Sequence, residues 1–176
     1  MQASTILIVD AIILAAGAAI FGKRLIKNYH RKAETPDAYM IKNVDSGLVI
    51  RPQDAKIEDG IPIIQYNPQN WECTTWQMIG IGDNKYLLKD LYTQKSFAPV
   101  GGATNGSLLE QRPIGNDEQQ HWIFNLKANG KYTIQLAGTK LYITSSSKTV
   151  NDRLSLQYQN QLDNQLWTLH QQQPII

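Results

Sequence analysis

The residues able to do covalent or metal chemistry in this chain are few and scattered. His30, His121 and His170 lie far apart, and none has a second ligand at the spacing a zinc site needs. The lone Cys73 has no base near it in sequence, and a single thiol excludes an internal disulfide and fits a reducing compartment. Glu58-Asp59 and Asp117-Glu118 sit beside turn residues, where paired carboxylates are solvated loop charges. Gly101-Gly102 and Gly115 are turn glycines and do not form a phosphate-cradling loop after a strand. No catalytic residue, metal or cofactor is therefore expected. What remains is non-covalent chemistry from aromatic faces and side-chain amides. Trp71 falls in a loop outside the core pattern, where it either stacks on a ligand or covers an apolar edge.

The elements that position these groups recur. Gln65, Gln111 and Gln157 are 46 residues apart, and each is followed about ten residues later by Trp76, Trp122 or Trp167. Tyr39, Tyr86 and Tyr132 open the three copies, and each copy continues through a polar turn, a middle strand and a closing Trp. Fixed-period self-similarity marks a repeat architecture in which no unit buries its apolar face alone. The apolar runs are short, rich in Ile, Leu, Tyr and Trp, and punctuated by Gly, Asn, Asp and Ser, so each unit reads as four β-strands. Twelve strands in a closed threefold arrangement leave no long unpaired edge, which predicts an all-β, β-trefoil domain. The units are 39–84, 85–130 and 131–176, within a domain 37–176. Pro62 and Pro99 fall inside the strand pattern, so those strands should be edge-like or bulged. Gly101 to Gly106 reads as an exposed hairpin loop.

Residues 39–170 resemble the ricin-type β-trefoil lectin family. The likeness rests on the threefold period and on the Gln-x-Trp signature, present as Gln120-His121-Trp122 and Gln165-Leu166-Trp167 and altered to Thr74-Thr75-Trp76 in the first unit. The resemblance implies that the three tryptophans pack in a shared core. It also implies that sugars bind through an acidic residue after the first turn, an aromatic on the middle strand and the Asn before Gln-x-Trp. Aligned on the repeated Gln, the acidic position is Arg51, Ala98 and Tyr142, the aromatic is Tyr66, Arg112 and Tyr158, and the Asn position is Cys73, Gln119 and Asn164. The third unit is accordingly the first candidate glycan site, built from Tyr158, Asn164 and Gln165 with Tyr142 and Asp163 nearby. Alternatively, these residues only hold a turn. The first unit, with Tyr66, Asn67 and Trp71, is the second candidate.

The N-terminus is a separate object. Thr5 to Phe21 is apolar apart from Asp10, and Lys23, Arg24, Lys27, His30, Arg31 and Lys32 follow directly. A bilayer core of roughly 30 Å takes about 20 helical residues, so residues 1–22 read as a single membrane-anchor helix and residues 23–36 as a basic juxtamembrane segment ending at Pro36. A cleaved signal peptide is the rival, because Ala16-Gly17-Ala18 offers a small-x-small site, but the positive charge that should precede the apolar run is missing. Asp10 with the small residues Ala15, Ala19 and Gly22 gives a face for helix self-assembly. The basic flank on the C-terminal side would hold the head in the cytoplasm, whereas glycan binding would favour the other side.

The chain carries 17 basic and 15 acidic residues, and without positions 1–36 the balance is 12 against 13. A near-neutral head disfavours nucleic acid. Two functions are expected: a membrane-anchored, non-catalytic module that binds a glycan or other polyol, or a sugar-silent scaffold in an oligomer or larger membrane assembly built through the N-terminal helix.

Overall fold

The computed structural model describes residues 37–174. The chain divides into two compact units at Pro36 and Asp37. The expected anchor helix 1–22, with Asp10, Ala15, Ala19 and Gly22, and the basic segment 23–36 lie outside the described residues. Among the described residues no helix is long and apolar enough to cross a membrane.

Among the described residues twelve strands form, four per unit. The first unit contributes β1 (Ala38–Asn43), β2 (Val49–Pro52), β3 (Ile63–Tyr66) and β4 (Trp76–Gly80). The second contributes β5 (Lys85–Asp90), β6 (Ser96–Pro99), β7 (Leu109–Arg112) and β8 (Trp122–Leu126). The third contributes β9 (Tyr132–Leu136), β10 (Leu141–Ser145), β11 (Leu154–Tyr158) and β12 (Trp167–Gln171). A single 3-10 turn precedes each closing strand, at Glu72–Thr74, Glu118–Gln120 and Asp163–Gln165.

The first and last strands of each unit close on one another. β1 pairs with β4, β4 with β5, β5 with β8, β8 with β9, β9 with β12 and β12 with β1, so six antiparallel strands make a barrel without an edge. The middle pairs β2–β3, β6–β7 and β10–β11 are hairpins joined by bridges between Ile64 and Arg153, Pro62 and Glu110, and Leu108 and Ser155. Pro62 falls just before β3 and Pro99 closes β6 opposite Leu109, so both prolines sit at strand ends where a missing N–H costs little. The loop at Gly101 to Gly106 is largely exposed, although Ala103 packs on the core.

The interior is built in threefold sets. Ile41, Leu88 and Ile134 lie on the unit-opening strands, and Trp76, Trp122 and Trp167 begin the closing strands, all fully buried. The indole of Trp76 donates to the carbonyl of Ile50 at 2.9 Å and that of Trp167 to Ile143 at 3.1 Å. In the second unit Phe97 stands where these isoleucines stand, packed between Trp76 at 5.1 Å and Trp122 at 4.9 Å, and the buried Trp122 Nε1 makes no hydrogen bond. The bulkier ring gains aromatic contact where the other units gain a polar one.

The turn after each opening strand shows a second departure from symmetry. Asn43 Oδ1 accepts from the backbone N–H of Asp45 and Ser46, while its Nδ2 donates to the carbonyls of Asn164 and Leu166. Asp90 repeats the first half, with Oδ1 accepting from Tyr92 and Thr93 at 3.1 and 2.7 Å. Its Oδ2 has no donor to offer the surrounding backbone when ionised, and it is buried without a partner. Burial pushes the Asp90 carboxyl up to about 7, against the pull of the two N–H bonds. The folded state therefore holds a proton that the unfolded chain releases near the ordinary carboxylate range, and stability falls as pH rises from about 4 through 7. Asp90→Asn supplies the amide that Asn43 already uses. Its melting temperature should exceed that of the parent at pH 8, with the difference closing as pH is lowered towards 4, as followed by thermal denaturation.

Candidate functional site

The hairpin ladders fix which residues of the three units correspond, and they revise the third unit. Ile50 faces Gln65, Phe97 faces Gln111 and Ile143 faces Leu156. Leu156, not Gln157, is therefore the counterpart of Gln65 and Gln111. The same register makes Gln157 the counterpart of Tyr66 and Arg112, and it makes Thr144, not Tyr142, the counterpart of Arg51 and Ala98. Backbone bonds agree: Gln65 and Gln111 each exchange two with a neighbouring unit, and Leu156 does so with Gly106 and Ser107. The identical spacing of the three glutamines misplaces the third unit because one fewer residue separates its hairpin from the preceding one.

This correction disperses the third-unit candidates. Tyr142 faces Gln157 and Tyr158 faces Leu141, so the two tyrosines project from opposite faces of the β10–β11 hairpin. Tyr158 is 62 % exposed, and its backbone N–H donates to Asn105 of the second unit. Asp163 is exposed. Asn164 Oδ1 accepts from Asn160 at 3.1 Å. Gln165 is buried, its Nε2 donating to Thr144 Oγ1 and the Tyr158 carbonyl, both at 2.9 Å, and its Oε1 accepting from Asn160 N–H. With all three groups engaged, Gln165 braces the loop between β11 and β12. Gln120 does the same in the second unit, holding Pro113 and Gly115. A cavity of about 270 Å³ lies behind this loop, lined by Lys127, Gln159, Leu162 and Gln165, and excludes Tyr142, Tyr158 and Asn164.

In the first unit the candidates come together. Tyr66 and Trp71 are half-buried, with ring centroids 6.5 Å apart and planes inclined at 33°, and Asn67 is exposed beside them. Arg51 lies diagonally across the ladder from Tyr66, on the same face, and its guanidinium carbon sits 4.3 Å from the ring centroid. Arg51 is 6 % exposed and its Nε donates to the Pro52 carbonyl. Sequence reasoning singled out Tyr66, Asn67 and Trp71 but gave Arg51 only as a missing carboxylate. Its adjacency to Tyr66 follows from β2–β3 register, which the sequence pattern alone did not establish.

The second unit has no equivalent surface. Arg112 occupies the aromatic position and is ion-paired to Glu110. Covalent chemistry has no constellation among the described residues. Cys73 is buried, which pushes its thiol up, His170 Nε2 is hydrogen-bonded to Thr168, and among the described residues no group of three or more His, Cys, Asp or Glu could hold a metal ion.

No family model matches the sequence, and no curated protein does. Solved structures do match. A designed threefold-symmetric protein, ThreeFoil, superposes with a TM-score of 0.73 at 20 % identity, covering 76 % of this chain and 97 % of that one. The ricin B-like lectin of Macrolepiota procera, solved with lactose, gives 0.67 at 18 % identity over 76 % and 94 %. The C-half of the earthworm R-type lectin, solved with GalNAc, gives 0.61 at 16 % identity over 77 % and 98 %. The fold of the described domain is thus a β-trefoil, a fold these lectins also have.

The two roles assigned in the third unit separate by mutation. Gln165→Ala leaves buried partners unsatisfied and should cost about 2–3 kcal/mol in chemical denaturation. Tyr158→Ala should change stability by less than about 0.5 kcal/mol.

Proposed function

We propose that the domain is a non-catalytic carbohydrate-binding module whose glycan site is the first unit. The observation that carries this reading is the Tyr66–Trp71 pair, two half-exposed rings on one surface with the Arg51 guanidinium packed against Tyr66. Inclined aromatic faces stack on the apolar C–H face of a pyranose, and the amide of Asn67 can both donate to and accept from hydroxyls. The lectins whose fold is shared supply the precedent, since those from Macrolepiota procera and earthworm were solved with lactose and GalNAc. Arg51 is buried against Tyr66 and supports that ring without itself facing a ligand, so recognition rests on the two rings and Asn67. The apolar run Thr5 to Phe21 is the basis for placing the module at a membrane.

One observation favours a sugar-silent scaffold instead: the aromatic position is Arg112 in the second unit and Gln157 in the third, so at most one unit is equipped. A glycan array on the full chain in detergent, including sialylated and uronic-acid sugars, decides between them. Tyr66→Ala and Trp71→Ala should each weaken binding at least tenfold by titration, while Tyr158→Ala leaves it unchanged. An array without signal from folded protein would retire the glycan reading in favour of the scaffold.

A further inference from the structure

The barrel is open at the end opposite its hairpins, and its mouth holds a cavity of about 540 Å³. That volume falls within the range of small-molecule sites, which recur in the mouths of β-barrels. The walls are supplied once per unit by equivalent positions. Tyr39, Tyr86 and Tyr132 come from the opening strands, and Met78, Phe124 and Leu169 come from two residues past each core Trp. Phe124 stands edge-on to Tyr86 at 5.8 Å and 88°, and to Tyr132 at 6.1 Å and 71°. Rings held nearly at right angles form the corner of a box.

The rim breaks the symmetry in charge. The residue two before each tyrosine is Asp37, Asn84 or Gly130, so the lining contains one carboxylate and no Lys, Arg or His. Neighbouring Lys85 lies 3.8 Å from Asp83. Four aromatic rings around one volume, with one carboxylate and no cation in the lining, match a specific ligand chemistry. A cation over an aromatic face gains about 0.5–2 kcal/mol, and boxes of such rings recognise quaternary ammonium groups.

We infer that the barrel mouth binds an organic ammonium ion, at a site separate from the first-unit glycan surface. The trimethylammonium group sits among Tyr39, Tyr86, Tyr132 and Phe124, with Asp37 at the entrance. The occupant is defined by the aromatic wall and its single carboxylate, a charge pattern that a cation completes and a neutral sugar does not.

Choline and its neutral carbon isostere, 3,3-dimethylbutan-1-ol, have nearly the same shape and differ in charge. Calorimetric titration of the full chain should show choline binding at least tenfold tighter than the isostere. Tyr86→Phe should retain choline binding, Tyr86→Leu should weaken it at least tenfold, and Asp37→Asn, an exposed change that leaves the core intact, should weaken it severalfold. Equal affinity for the two probes, or no binding of choline by folded protein, would overturn the assignment. So would choline binding indifferent to both Asp37→Asn and Tyr86→Leu. None of these outcomes bears on Tyr66 and Trp71, so the glycan reading stands or falls separately.

Discussion

Closure is the constraint on which this domain rests. No unit has a second layer of its own against which to bury its apolar face, so the three must supply one another's. The closing Trp of each unit begins a strand that pairs with the opening strand of the same or the next unit, and the indoles and isoleucines they carry fill one shared interior. Once the ring is closed, every hairpin is held at a fixed place around it, and the surface chemistry of each unit is set by a few side chains that the core does not need. That separation lets three equivalent hairpins carry three different chemistries: two inclined aromatics with a guanidinium, a local Arg–Glu ion pair, and an amide network.

Two departures from threefold symmetry leave a buried polar atom without a partner. Trp122 Nε1 and Asp90 Oδ2 are both in the second unit and both buried. Each is offset by something local. Phe97 packs on Trp122, and Asp90 retains a proton that burial favours. Exchanging a hydrogen bond for packing or for protonation costs little only when the group can become neutral, and a protonated carboxyl does so while still accepting the two N–H bonds of this turn.

Much of the fold was legible in the residues. The period, the three tryptophans, the short apolar runs and the polar turns between them led to twelve strands in a closed threefold array. The register of the third hairpin was not legible, because identical residues there do not occupy identical places. Gln157 lies 46 residues from Gln111 just as Gln111 lies from Gln65, yet Trp167 lies 45 from Trp122, and that difference was the available signal. In a strand a one-residue slip turns the whole side-chain set to the other face, so Tyr158 and Tyr142 lost the neighbours the alignment gave them. The barrel mouth was hidden for a different reason. Tyr39, Tyr86 and Tyr132 looked like strand openers, and only closure brings positions more than 90 residues apart around one cavity.

The same slip gives the ring a seam. Gln65 reaches into the third unit to hold the carbonyls of Ser147 and Thr149, and Gln111 reaches into the first to hold those of Lys56 and Glu58. At the remaining junction Leu156 takes that place, and Ala103 of the facing loop packs on the core instead. Directional bonds fix a loop's position, whereas apolar contact tolerates sliding. The joint between the second and third units therefore lacks the side-chain latch of the other two and keeps the main-chain bonds of Leu156 with Gly106 and Ser107.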